Sequence, residues 1–186
     1  MEKNNTVYLL VGPRGSGKSH YARRLVGAQP GLTGISRDEI LARLCGSADA
    51  SPYTGAHYFC LKIMERLLRR KLSIQTGLRV MLDSWTGESE ERKRLIRILR
   101  EHGATRIVAL YFITPLELVS QWFWQKPGIA KIKEWKSRKA ENLTYFSEDA
   151  PAHDFRLFHE LAACIDSDGF DEVIRIDPCA ELITLS

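Results

Sequence analysis

The sequence predicts an α/β fold: a five-stranded parallel sheet with helices on both faces and a small helical lid. Three observations carry that expectation. Five short runs are almost wholly apolar, as strands buried on both faces are. Between them lie segments with apolar residues at helical spacing, the alternation that parallel crossover connections need. Glycine and proline fall between these segments, and no repeat or low-complexity linker interrupts the order.

The elements follow in turn. Residues 7–11 are the first strand, and Lys18–Ala28 is a helix because Tyr21, Ala22, Leu25 and Val26 recur at helical spacing. Leu32–Ser36 is the second strand; residues 37–44 form a helix that ends near Gly46, and residues 48–55 are turn-rich. Phe59, Cys60, Ile63, Met64, Leu67 and Leu72 mark a long amphipathic helix closed near Gly77. Residues 78–83 are the third strand. Glu88, Glu90 and Glu91 open the next helix and Arg100 stands in its last turn, a charge order that suits the macrodipole. The fourth strand, residues 106–113, stops at Thr114-Pro115. Leu116–Trp124 is helical, and a Lys-rich helix over residues 129–146 follows the break at Pro127-Gly128. Pro151 ends a loop, residues 155–165 are amphipathic, and Glu172–Ile176 is the last strand. A ligand of such a sheet sits beyond the carboxyl ends of its strands.

A chain of 186 residues suits one domain, so residues 1–186 are read as a single unit with residues 121–147 as a lid segment within it. No apolar run approaches the roughly 18 residues of a membrane span, and Met1-Glu2-Lys3-Asn4-Asn5 is no secretory leader. A cytoplasmic setting with no membrane partner is therefore expected. The four cysteines form no C-x-x-C pair and read as reduced thiols, three of them as small core residues. Five scattered histidines show no ligand spacing, so no structural zinc is expected. The net charge of +4 conceals an asymmetry, because residues 148–186 hold ten acids against two arginines. Between residues 126 and 139, six Lys and Arg face only Glu134. Such a run is either a solvated helix face or a surface for a polyanion.

Gly12-Pro13-Arg14-Gly15-Ser16-Gly17-Lys18-Ser19 fits G-x-x-x-x-G-K-[ST] and follows the first strand directly. The glycines let backbone N–H groups wrap a polyphosphate at a helix start, Lys18 places a charge between the outer phosphates, and the Ser19 hydroxyl reaches Mg²⁺. The chain is thus read as binding a nucleoside triphosphate. Asp83, ending the third strand, is read as an acid that meets Mg²⁺ or its waters; the alternative is a turn or helix cap. Asp38 has two readings from spacing alone, a general base for an attacking hydroxyl or a first-turn helix acid. Trp85 is a candidate wall of the acceptor pocket. Trp122, Phe123 and Trp124 read first as core and second as stacking residues, since adjacent helical positions point apart. Tyr53 and His57 flank the turn before the long helix and are candidate acceptor contacts, and His20 reads as an ordinary helix residue.

Gly12–Ser19, then Ser36-Arg37-Asp38, then Val80-Met81-Leu82-Asp83-Ser84, resemble the 5′-polynucleotide kinase group of P-loop kinases. That group takes in bacterial AAA-type ATP-binding proteins and zeta-toxin-like kinases. The Arg-Asp after strand two is its more selective mark. The resemblance implies a P-loop NTPase fold with an adenylate-kinase-like core, ATP and Mg²⁺ as cofactors, and Asp38 as general base. It also implies that Lys18 and Ser19 bind phosphates and metal and that Asp83 lies near the acceptor or metal. Beside these, Lys18 is taken with Asp38 as catalytic, Asp83 with Ser19 as a metal candidate, and Arg37 with Asp83 and Trp85 as acceptor-side candidates. Two departures stand out. Leu41 occupies a position where the group tends to carry Arg, and Gln121 and Gln125 stand where lid arginines clamp phosphates. A lost arginine finger costs about 10³-fold or more in rate. Lys126, Lys131, Lys133 or Arg138 is the expected substitute.

Three functions are compatible with these residues. The leading one is phosphoryl transfer from ATP to a hydroxyl of a small molecule or of a polynucleotide 5′ end. The others are a nucleotide-gated binding protein or weak ATPase, and a nucleic-acid-binding module using the basic stretch. All but the last require the loop at Lys18: calorimetry with magnesium nucleotides should show heat that vanishes in Lys18→Ala.

Overall fold

The computed structural model describes residues 4–46, 56–84, 86–125 and 149–185, with residues 56 and 57 as backbone only. All six residues of β1 (Thr6–Val11) are buried, which makes it the middle of the sheet. Around it the five strands run β2-β3-β1-β4-β5, every pair parallel, with β2 as Leu32–Ser36, β3 as Arg79–Asp83, β4 as Arg106–Phe112 and β5 as Glu172–Ile176. The helices are α1 (Lys18–Ala28), α2 (Arg37–Cys45), α3 (Ala56–Ile74), α4 (Ser89–Glu101), α5 (Leu116–Trp124) and α6 (Ala150–Leu161). The expected helix over residues 129–146 and the turn-rich residues 48–55 lie outside the described residues.

Alternation along β1 sorts the core into two halves. Val7, Leu9 and Val11 join Met64, Leu68 and Leu72 of α3, Leu95, Ile96 and Leu99 of α4, and Phe158 of α6. Tyr8 and Leu10 point the other way, onto Tyr21, Ala22 and Leu25 of α1. Each such aliphatic side chain contributes about 1.5–3 kcal/mol by leaving water. The second face is completed by chain rather than by a further helix: Leu182, Ile183 and Leu185 lie against it as a strap. Gln29 Nε2 donates to Ile183 O at 2.7 Å, and Arg79 Nη2 donates to Leu185 O at 2.7 Å, so the strap reaches the amino end of β3.

Two buried polar residues hold what apolar packing does not. Asn5 is fully buried; its amide donates to Leu72 O, Gln75 O and Gly103 O, and its Oδ1 accepts from Leu78 N at 2.9 Å. It therefore ties the ends of α3 and α4 beneath the sheet. Arg92 of α4 is also fully buried and meets Asp168 at 2.5 Å.

Three expectations need correction. Helix α6 begins at Ala150, earlier than residue 155, with Pro151 inside its first turn rather than ending a loop. Proline fits there because a first-turn N–H has no helical partner to lose. The helix stops at Leu161 and a short 3₁₀ turn, Ile165–Ser167, follows. Only Cys60 of the four cysteines is buried; Cys45, Cys164 and Cys179 sit where chain leaves an element and are exposed. Burial pushes the Cys60 thiol pKa up. Strand β4 ends one residue early, at Phe112, and Ile113 turns outward.

Asp171 closes the amino end of the β4–β5 pair. Burial works to raise its pKa, but Arg100 Nη2 at 2.5 Å and the Ile107 amide at 2.5 Å outweigh that and lower it below the ordinary 3.8. A depressed carboxyl contributes stability that is present above the unfolded pKa and is lost as pH falls through the folded one. Asp171→Asn should thus lower the melting temperature at neutral pH and flatten its fall as pH drops from about 5 toward about 2. Melts across that range read both effects.

Candidate functional site

Strand β1 delivers the glycine-rich loop to the carboxyl edge of the sheet, where it is wedged beneath α5 and beside β4. A Cβ on Gly12 would lie 2.9 Å from Phe112 Cβ. On Gly15, at φ 87°, it would lie 2.7 Å from Val119 O. Gly17 also has positive φ and is the N-cap of α1, with no side chain capping the first turn. Backbone N–H groups left open in this way at a helix start suit an anion. Thr114 Oγ1 donates to Ser16 O at 2.9 Å and holds the loop to the chain after β4. Lys18 folds over the loop: its Nζ donates to Gly12 O and Pro13 O, both at 2.7 Å, and to Ser16 Oγ at 3.3 Å.

A cavity of about 880 Å³ opens on this loop. Its walls include Arg14, Gly15, Ser16, Gly17, Lys18 and Ser19 together with Arg37, Asp38, Asp83 and Ser84; Gly12 and Pro13 of the loop are not among them. Parallel pairing of β2 with β3 sets Ser36 beside Asp83, so Asp38 starts α2 next to the strand end that carries Asp83. Ser36 caps α2, accepting from Glu39 N at 3.4 Å. Capping thus falls to Ser36, and Asp38 is engaged elsewhere: Arg37 Nε and Nη2 both donate to its Oδ1, at 3.0 and 2.7 Å. Ser84 is buried, and its Oγ has no hydrogen-bond partner among the described residues.

The aromatic run divides as adjacent helical positions must. Phe123 is core, Trp124 packs edge-on against it with centroids 5.1 Å apart, and Trp122 lines the cavity within reach of Gly17. Of the two glutamines, Gln125 lines the cavity and Gln121 does not. Trp85, Lys126, Lys131, Lys133, Arg138, Tyr53 and the His57 side chain lie outside the described residues.

The structure adds wall residues that sequence reasoning missed. Arg23 and Arg24 stand one helical turn beyond Ser19 and His20, and that spacing was the available signal. Arg14 pairs with Asp154 of α6, Nε to Oδ2 at 3.5 Å, across 140 residues of chain with no local signal. Pro178 and Cys179, just past β5, form another wall.

Residues 7–143 match the model of a family described as AAA domain. The chain belongs to that family. No curated protein matches it at a significant level. Among solved structures, this AAA-domain chain is similar to one in the Pnkp1/Rnl/Hen1 RNA repair complex, at 18% identity and a TM-score of 0.61 over 88% of this chain and 47% of that one. A shikimate kinase from Acinetobacter baumannii in complex with shikimate matches at 19% identity and 0.52, over 95% and 86%. A structure from the PezAT toxin–antitoxin system of Streptococcus pneumoniae matches at 14% and 0.61, over 98% and 71%. The chain spans only 40% and 47% of two RNA-repair chains that it matches. At these identities the likeness is one of fold, the parallel α/β fold of a P-loop NTPase. The resemblance to P-loop kinases of the polynucleotide-kinase-like group stands.

Gly15→Ala tests the wedge. A Cβ there meets a carbonyl oxygen in a backbone region that costs a side chain about 1–3 kcal/mol. Nucleotide titration should show affinity down about tenfold or more, with a lower melting temperature. Gly27→Ala, where a Cβ meets nothing within 4 Å, should leave affinity unchanged.

Proposed function

We propose that this chain is an ATP-dependent phosphotransferase that moves a γ-phosphoryl group onto a hydroxyl of a small molecule or of a polynucleotide 5′ end. One observation carries the proposal: Asp38, in the first turn of α2 just past β2, and Asp83, at the end of neighbouring β3, share a cavity with the Lys18 loop. A bare phosphate loop binds; a carboxylate beside it can also accept a proton.

The residues present fit a magnesium nucleotide. The cradle is one that side chains would fill, its helix end is uncapped, and its lysine already bonds oxygen atoms at the loop mouth. Ser19 and Asp83 would hold Mg²⁺, which supplies charge neutralisation between the phosphates. In this reading Gly12 to Ser19 cradle the phosphates, and Trp122 and Pro178 give the nucleoside an apolar wall. Both Arg37 nitrogens bond Oδ1 of Asp38 and fix the carboxylate, leaving Oδ2 to take the proton. The acceptor oxygen then bonds the γ-phosphorus as the bond to the β-phosphate oxygen breaks, and the diphosphate leaves. Residues 1–186 act as one kinase unit in which residues 121–147 are the lid, Lys126, Lys131 and Lys133 adding charge over the phosphates. Structural neighbours that include a shikimate kinase, a gluconokinase from Sinorhizobium meliloti 1021 and a chain of an RNA repair complex support both kinds of acceptor.

The second reading, a nucleotide-gated switch or weak ATPase, draws on Gln125, a neutral amide in the wall where a clamp arginine was expected. Asp38→Asn separates the two. It should cut phosphoryl transfer by about 10²-fold or more while ATP affinity in calorimetry holds, in a screen of labelled ATP against nucleosides, sugars and 5′-hydroxyl oligonucleotides. Unchanged turnover removes Asp38 as the base. Acceptor-independent hydrolysis with no phosphorylated product favours the switch.

A further inference from the structure

The loop that leaves Asp83 is held by a buried arginine that the phosphate-transfer scheme above does not use. Arg92 lies in the first turns of α4 and is fully buried. Its Nη1 donates to Thr86 O at 3.0 Å and to Gly87 O at closer range. Its Nη2 donates to Leu161 O, at the end of α6, at 3.1 Å. Its Nε meets Asp168 Oδ2 at 2.5 Å, while Ser89 Oγ donates to the other oxygen of that carboxylate. A second tether lies beside it: Thr86 Oγ1 donates to Leu10 O, one residue short of the end of β1, at 2.9 Å.

Stability alone is a weak reason for this knot. Burying two charges costs several kcal/mol each, and well-packed apolar replacements of such pairs are often no less stable. Helix α4 already docks on the sheet through Leu95, Ile96 and Leu99. The guanidinium adds something a leucine cannot, a planar fork that satisfies two successive loop carbonyls and a helix-end carbonyl at once. Those loop carbonyls belong to the third and fourth residues past Asp83. Thr86 is tied both to Arg92 and to β1, and only two residues of sequence separate it from Asp83.

We infer that Arg92 is a positioning residue for Asp83, fixing the β3–α4 loop so that the carboxylate is aimed at the phosphate loop. The inference rests on the proposed role of Asp83 in holding metal. It extends to α6, which carries Asp154 to Arg14 of the phosphate loop and Leu161 to Arg92. That helix therefore contacts both the phosphate loop and, through Arg92, the loop after β3.

The test is the affinity for ATP with and without Mg²⁺, by calorimetry, in wild type, Asp83→Asn, Arg92→Lys and the double variant. Lysine keeps the charge beside Asp168 but not the fork. Arg92→Lys should leave metal-free ATP affinity within about twofold and cut the gain from Mg²⁺ about tenfold, as loss of an outer-sphere partner does. Added to Asp83→Asn it should cost nothing more, because both act through one carboxylate. Hydrogen exchange over residues 84–88 should rise while β3 stays protected. Thr86→Val cuts the other tether, leaves the ion pair in place and should give the same loss, which keeps the test decisive if Arg92→Lys folds poorly. A full Mg²⁺ gain in folded Arg92→Lys or Thr86→Val, or losses that multiply in the double variant, overturns the inference. A full gain in Asp83→Asn instead overturns the metal role of Asp83, and the positioning role with it.

Discussion

At Gly12 and Gly15 no side chain fits between the phosphate loop and its surroundings, and the site depends on that exclusion. Phe112 presses on Gly12, the α5 backbone presses on Gly15 and Trp122 stands over Gly17. The glycines let two elements, β4 and α5, close on the loop. A central strand buried along its whole length supports this arrangement, because β1 has neighbours on both edges and helices or strap on both faces. Rigidity in the scaffold is what allows a short loop to present a fixed array of donors.

Charge in the cavity is arranged rather than merely accumulated. Arg37 is held by Asp38 and Arg14 by Asp154, so two of the wall cations come with an acid of their own. Pairing of this kind limits the field an incoming polyphosphate meets and fixes where each guanidinium points. Lys18 bonds the loop itself, through two carbonyl oxygens and a hydroxyl.

Much of this was legible in the residues, and what was not has a common cause. Strands β1, β2 and β3, helix α1 and the loop between were readable because each is specified by a local pattern. Asp38 and Asp83 were readable as a pair only through the parallel-sheet expectation, which brings separate strand ends to one edge. Arg92 with Asp168, Arg14 with Asp154 and the four bonds of Asn5 were not readable, since their partners are distant in sequence and leave no periodicity. The start of α6 was misread because apolar spacing marks the face a helix buries, whereas its first residue is set by capping and by where proline is tolerated. The cysteines were misread because thiol burial depends on where an element ends.

The strap after β5 couples two places with no direct contact between them. It begins as a wall of the cavity at Pro178 and Cys179 and finishes by receiving a hydrogen bond from Arg79 at the opposite end of the sheet. Anything that binds against its first residues also favours the state in which its last ones are docked, because both belong to one short peptide. Thermodynamic linkage then makes the firmness of the β2–β3 edge a function of what fills the pocket.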